Sequence, residues 1–369
     1  VVYSQNEHGI ALENIDADAV AICRQLQKAG YETYIVGGAV RDLLMRLRPK
    51  DFDLATCARP PEIKRLIRNS RLIGKRFKLV HVFYGSKIIE LATFRSTTEG
   101  TTGNTFGKIE EDVMRRDFTM NALFYDPVGE LVIDYVGGVE DIKNKLVKPI
   151  IPLGVIFKDD PVRMIRAAKY CAIAGWELPP ALYAKIRANC ALIKTISPSR
   201  LTEEITKFIK SDAAGTIAQS LEDLGLYAYL QPAASALMQA DRNFRDRYLA
   251  RLGEHRLGEN SLAENQLPAA SAQADNLAPF LYGLVADYLE QSVDWAAVPE
   301  DVGELYKTVF AKARAFILPM NPPRACLERV LRGIFQEHGI SLKKTRLLSG
   351  TPERRGRRGG RRRRGGKAG

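Results

Sequence analysis

Hydrophobic spacing changes character once along this chain, near Pro152. Before it, short apolar runs alternate with helical stripes. Ile15, Ala19, Ile22, Leu26 and Ala29 fall at helical spacing and predict an amphipathic helix over 14–29, with Gly30 as its stop. Tyr34-Ile35-Val36 reads as a buried strand, Gly37-Gly38 as a tight turn and Ala39 to Leu47 as a helix. Asp51 to Thr56 is the next strand, and Pro60-Pro61 opens a helix that runs to about Asn69. The β-branched and aromatic runs 78–84 and 87–94, separated by Gly85-Ser86, predict a β-hairpin. The Thr/Gly-rich stretch 96–109 reads as a mobile loop and 110–121 as a helix. Strands are predicted at 122–126 and 131–135, joined by the turn Asp126-Pro127-Val128-Gly129. This mixture predicts an α+β domain. Beyond Pro152 the stretches 155–174, 180–192, 199–210, 214–227, 276–290, 300–317 and 322–338 all read as helices. Residues 255–275 read as a loop or linker rich in Ala, Asn, Gln and Gly, so the C-terminal part is predicted to be all α.

Composition narrows the classes. The 369 residues suggest two or three domains, and the 46% hydrophobic fraction supports a substantial core. No run of about 18 apolar residues predicts a membrane span, and the polar start of the chain carries no signal-peptide pattern. The five scattered cysteines and four scattered histidines form no zinc-type spacing and read as reduced thiols of a cytoplasmic protein. The net charge of +12 is concentrated at one end: residues 353–369 hold nine Lys/Arg and one Glu. This Gly/Arg-rich tail is expected to be disordered and to meet a polyanion such as RNA.

The candidate chemistry lies in Val36-Gly37-Gly38-Ala39-Val40-Arg41-Asp42, followed by Lys50-Asp51-Phe52-Asp53. Glycines at a strand-to-helix turn let the backbone approach a phosphate closely. On a strand, Asp51 and Asp53 at i and i+2 would share a face, with Phe52 turned to the core. Two like charges on one face call for a cation, and Mg²⁺ is the hard ion that takes a few carboxylates plus substrate phosphates, with Mn²⁺ as the alternative. Two such metals about 3.5–4 Å apart can activate a 3′-hydroxyl and stabilise a pyrophosphate leaving group. Taken alone, Asp-x-Asp fits a solvated edge strand equally well. A third carboxylate is either Glu90, an acid in the apolar run Lys87 to Phe94, or Asp117, within Arg115-Arg116-Asp117-Phe118-Thr119-Met120-Asn121. A salt bridge to Arg41 or Arg95 is the ordinary alternative for Glu90, and capping or arginine pairing for Asp117. His81, on a strand between Val80 and Val82, reads as a structural histidine.

The run from Tyr34 to Tyr170 resembles the class II nucleotidyltransferases, the bacterial poly(A) polymerases and CCA-adding enzymes. The resemblance rests on residues 37–42, 51–53 and 115–121, on Asp134-Tyr135-Val136-Gly137-Gly138 and on Asp160-Pro161-Val162-Arg163-Met164-Ile165-Arg166. It is looser up to about residue 230, including Ile196-Ser197-Pro198-Ser199-Arg200, and weak in the last third. It implies a polymerase-β-like head over 31–152, preceded by an N-terminal helix over 1–30. A helical neck over 153–215, a helical body over 216–350 and the tail over 351–369 would follow. By the same resemblance Asp51 and Asp53 would be the metal-binding catalytic pair, Gly38 and Arg41 would contact the triphosphate, and Gly37 and Asp42 would also be nucleotide-binding. Asp117, Arg115, Arg116 and Asn121 would meet the ribose and phosphates of the incoming nucleotide. Asp160, Arg163 and Arg166 would meet its base. Asp160 and Arg163, at i and i+3 of a predicted helix, would accept from the adenine amino group and donate to ring N1. Asp159 stands where the family is expected to carry Glu, which weakens any role for it.

The implied activity is template-independent addition of AMP from ATP to RNA 3′ ends. The segment Leu72 to Val82 resembles the stretch that marks the poly(A) polymerase branch, where CCA-adding relatives tend to carry Phe-Gly-Thr. CCA or A addition to tRNA is the alternative. An inactive RNA-binding adaptor, marked by lost carboxylates, is the second, and a helical scaffold with a basic tail is a remote third. The expected partners are RNA 3′ ends, ATP and RNA-decay proteins, and a monomer is expected.

Overall fold

A computed structural model describes residues 1–73, 79–98, 105–253, 277–297 and 301–342. The predicted linker 255–275, the tail, residues 99–104 of the predicted loop 96–109 and residues 74–78 lie outside the described residues. The N-terminal half is built on one eight-stranded sheet in the order β1-β8-β7-β2-β3-β6-β5-β4. Its strands are β1 (Val2–Tyr3), β2 (Thr33–Val36), β3 (Asp53–Thr56), β4 (Ser70–Ile73), β5 (Leu79–Tyr84), β6 (Lys87–Thr93), β7 (Leu123–Asp126) and β8 (Leu131–Asp134). Every pair is antiparallel except β3 with β6, which run parallel because a helix Pro60–Leu66, β4 and β5 intervene in a crossover.

The two sheet faces are covered unequally. On one, Ile22, Cys23 and Leu26 of a helix Ala17–Lys28 and Ile63 of the helix Pro60–Leu66 pack with Ile35, Leu54, Val80, Val82 and Leu91 in the main core. That helix starts where Asp16 Oδ1 accepts from the N–H groups of Asp18 and Ala19. The opposite face carries a small second core of Val36, Ala55, Phe94, Ala122 and Phe124, closed by Ile109 and Val113 of a helix Ile109–Met114. This cover stops short of the sheet end that bears Asp53, which meets solvent.

From residue 156 the described residues are helical. These helices include Ile156–Asp159, Val162–Ala174 and Pro198–Ile209, and the chain continues through helices to Arg324–Glu337. The predicted helix over 155–174 is two helices, because Pro161 forces Asp160 into an extended conformation with φ −147° and ψ 101°. The predicted helix over 110–121 is the short Ile109–Met114 segment followed by a 3₁₀ turn Thr119–Asn121, since Phe118 pairs as a β-bridge with Pro149. The helix after the glycine pair spans Gly38–Leu44 rather than reaching Leu47. Strand β3 begins at Asp53, so Asp51 lies just before the sheet and the same-face argument places only Asp53 on it.

Candidate active site

Strand register brings the two sequence motifs together. Val36 pairs with Asp53 across β2 and β3, so the Gly37-Gly38 turn leaves the sheet beside that carboxylate. Gly37 has φ 70° and ψ −128°, a backbone that L side chains rarely adopt. A Cβ there would also lie 3.3 Å from an Arg116 guanidinium nitrogen. The parallel pairing of Leu54 with Leu91 and Ala55 with Ala92 sets Asp53 level with Glu90 on the same sheet face. Glu90 therefore adjoins the aspartate pair, although 37 positions separate it from Asp53 in the chain.

Crowding follows in the electrostatics. Burial by surrounding protein, then the Glu90 and Asp51 carboxylates, push the Asp53 carboxyl up to about 6, against the pull of Arg116 and Lys207. Among the described residues, no side chain hydrogen-bonds to or ion-pairs with the Asp51 or Asp53 carboxylates. Nor do three or more His, Cys, Asp or Glu side chains among the described residues cluster closely enough to enclose a metal ion. The donor set is thus one of uncommitted carboxylates at a solvent-facing edge. That fits Mg²⁺, which binds through one or two carboxylates plus substrate phosphates rather than in an all-protein cage.

Asp117 sits elsewhere. It is buried, and its Oδ1 accepts from Phe118 N–H at 2.8 Å and Asn121 Nδ2 at 2.9 Å. Asn121 Oδ1 accepts from Arg41 at 2.7 Å, and Arg41 also donates through Nε and a terminal nitrogen to Asp42 at 2.9 and 2.7 Å. The Arg41 guanidinium lies 4.8 Å from the centre of the Tyr170 ring. On its other side Asp117 faces Arg166 at 3.6 Å, and Arg166 faces Glu204 at 3.5 Å. A polar chain therefore runs from the glycine turn through Asn121 and Asp117 to helices 162–174 and 198–209. The ordinary salt bridges weighed for Glu90, to Arg41 or Arg95, do not form; its partner is His81, at 3.3 Å.

Arg115 and Arg116 gather on the buried Asp112. Arg116 donates to Asp112 Oδ2 at 2.9 and 3.2 Å and to the Asn121 carbonyl at 3.1 Å, while Arg115 approaches Asp112 Oδ1 at 3.8 Å. Burial, with Arg95 beside it, pulls Arg115 down to about 10. The expected base-reading pair is arranged differently from two neighbours on one helix. Asp160 precedes its helix, accepts from Val162 N–H at 3.1 Å and pairs with Arg200 at 2.6 Å. Arg163 is buried and donates to Asp159 at 2.6 Å and to the Ile156 carbonyl at 3.2 Å. Asp159, discounted from the sequence because Glu was expected there, is Arg163's carboxylate partner.

Several residues at the site carried no motif signal. Glu204 and Lys207 sit on the 198–209 helix; Glu204 is buried and meets both Arg166 and Lys207. Lys169 projects among Arg166, Lys207, Arg41 and Glu204, and burial first, then these cations, lower its ammonium to about 8. Asp134 and the glycines after it are a backbone staple: Asp134 accepts from Val136, Gly137, Gly138 and Val139 N–H groups at 2.8–3.1 Å. Gly138 abuts the Thr119 carbonyl so closely that no Cβ fits, which fixes the turn carrying Asn121.

Known proteins share these parts. Residues 33–148 match the family described as the poly A polymerase head domain. Residues 175–238 match the probable RNA and SrmB-binding site of polymerase A. Poly(A) polymerase I of Salmonella typhi is 38% identical over 247 residues, 63% of this chain and 53% of that protein. The enzyme of that name from Escherichia coli O6:H1 is 40% identical over 226 residues, 57% and 49% respectively. A CCA-adding enzyme of Geobacillus kaustophilus is 37% identical over 233 residues, 61% and 57%. The chain thus spans about half the length of the curated relatives it matches. Among solved structures, the Bacillus stearothermophilus CCA-adding enzyme in complex with CTP is 27% identical, with a TM-score of 0.56 over 86% of this chain and 82% of that one. A tRNA-processing enzyme in an apo form, at 22% identity and a TM-score of 0.58 over 92% and 94%, shares the fold. In its head domain and the segment that follows, the chain is thus similar to both poly(A) polymerases and CCA-adding enzymes.

Proposed function

We propose that the protein is a template-independent RNA nucleotidyltransferase that adds AMP from ATP to RNA 3′ ends and releases pyrophosphate. The observation that carries this reading is the juxtaposition of Asp53, Asp51 and Glu90 with the Gly37-Gly38 turn. In the transfer, a bond forms from the RNA 3′-oxygen to the α-phosphorus as the bond to pyrophosphate breaks. Mg²⁺ held by Asp51 and Asp53 would supply Lewis-acid activation of the hydroxyl and neutralise charge on the leaving group. Arg41 and Arg116 flank the glycine turn and offer guanidinium groups to phosphate oxygens. With the glycine-turn helix only seven residues long, these side chains carry more of that task than a helix dipole does. Asp117 and Asn121, already locked to each other, present a preset polar edge to a ribose. For Asp160 to read adenine, the amino group must replace Arg200 as its partner, while Asp159 holds Arg163 in place beside it. A purine with the reverse donor pattern would leave these groups unpaired. The five free cysteines suit a cytoplasmic setting.

The test is incubation with RNA, Mg²⁺ and each nucleoside triphosphate separately, with product sizing. AMP homopolymer on a generic RNA is the expected product, and Asp51→Ala with Asp53→Ala should abolish it. Persistence of addition in that double variant overturns the catalytic assignment. CCA addition is the second reading, favoured by the likeness to the Bacillus stearothermophilus enzyme. Its mark is CMP and AMP addition confined to truncated tRNA.

A further inference from the structure

Four residues stand in one row across the sheet. Asp53 on β3 lies level with Glu90 on β6, Glu90 pairs with His81 on β5, and His81 pairs with Arg71 on β4. Directly opposed residues point to the same face, so the row runs from the candidate centre to the sheet edge. The His81 Nε2 lies 3.3 Å from Glu90 Oε1. The ring is mostly covered, with 19% of the side chain exposed, and Phe83 meets it edge-on at 6.2 Å between centroids. Glu90 is half exposed, and among the described residues no other side chain hydrogen-bonds to or ion-pairs with its carboxylate. A long, exposed glutamate beside the like charge of Asp53 would otherwise keep its rotamer freedom and swing away.

We infer that His81 is a positioning residue that holds the Glu90 carboxylate beside Asp53, so that strand β5 acts directly on the catalytic centre. The inference rests on the nucleotidyltransferase reading above. It explains why a histidine stands on the site face between Val80 and Val82, which are buried on the opposite face in the main core. With Oε1 held by His81, Oε2 is the oxygen Glu90 offers to the centre. A carboxylate partner requires hydrogen on Nε2, which either the Nε2–H tautomer or the imidazolium supplies.

The experiment compares the unaltered protein with His81→Leu, His81→Gln, Glu90→Gln and the His81→Leu/Glu90→Gln double variant. The readouts are kcat and KM for ATP in AMP addition to RNA, with thermal unfolding alongside. His81→Leu should lower kcat by about 10–100-fold, the usual loss when an outer partner of a site ligand is removed, with KM for ATP unchanged. Glutamine, which keeps a donor toward Glu90, should restore most of the loss. In the Glu90→Gln background, His81→Leu should change kcat by less than about twofold, because residues acting through one another are non-additive. Wild-type kcat in His81→Leu, or independent losses that multiply in the double variant, overturns the inference. If the leucine variant does not fold, the same cycle is run with His81→Ala. Absence of AMP addition by the unaltered protein would sink the nucleotidyltransferase reading first, and the role of His81 with it.

Discussion

Replacing Asp53 by Asn should stabilise the metal-free protein, and only at the alkaline side of a defined window. The Asp53 carboxyl is raised from an ordinary 3.8 to about 6 by burial and by Glu90 and Asp51. A raised carboxyl binds its proton more tightly in the folded state. Its contribution to stability is therefore complete below the unfolded value and lost as pH rises through about 6. Two pKa units correspond to a ceiling of about 3 kcal/mol. Because the side chain meets solvent and is screened, about 1 kcal/mol is the realistic share. Asparagine cannot ionise and escapes the loss. Urea unfolding in EDTA should show near-equal stability at about pH 4 and an advantage of about 1 kcal/mol for Asp53→Asn at about pH 7.5. Glu90→Gln should shrink that advantage, since Glu90 is the leading charge behind the shift. A difference of the same size at both pH values, or an Asn variant less stable at neutrality, refutes the reasoning. The arrangement that would receive a cation is thus one the folded chain holds against its own repulsion.

Other outcomes follow from the same geometry. Gly138→Ala forces a methyl group against the Thr119 carbonyl and should cost about 1–3 kcal/mol by urea unfolding, lowering activity through the displaced Asn121 turn. Lys169, lowered to about 8, should lose its charge as pH rises through that value, so the KM for RNA or ATP should climb above about pH 8. In Lys169→Met that alkaline step should vanish, and its persistence would point to another group.

The sequence exposed the site's local parts and hid its long-range ones. Gly37, Asp51 and Asp53 were legible because their meaning lies in short spacing. Choosing Glu90 over Asp117 as the neighbour of Asp53 depends on the parallel pairing of β3 with β6, which no local pattern encodes. The break at Asp160-Pro161 was readable from proline's effect on the residue before it, yet the apolar period across 155–174 overrode it. Strand β4 is only four residues, two of them exposed, and offers little alternation. The helix Arg242–Gly253 is rich in arginine and buries only Phe244, Tyr248 and Leu252, a stripe too thin to stand out. Glu204 carried no local signal, because its partner Arg166 lies 38 positions away.

Arg166 touches Asp117 of the sheet-bearing part with one nitrogen and Glu204 of the helical part with another. The polar chain that starts at the glycine turn therefore also ties the sheet-bearing part to the helical part. On the proposed function, a nucleotide that competed for Asp117 or Arg166 would alter how firmly those parts are tied. Substrate occupancy and mechanical coupling of the two parts would then become one thermodynamic quantity, and heat-induced unfolding should change in cooperativity, not merely in midpoint, when nucleotide is added.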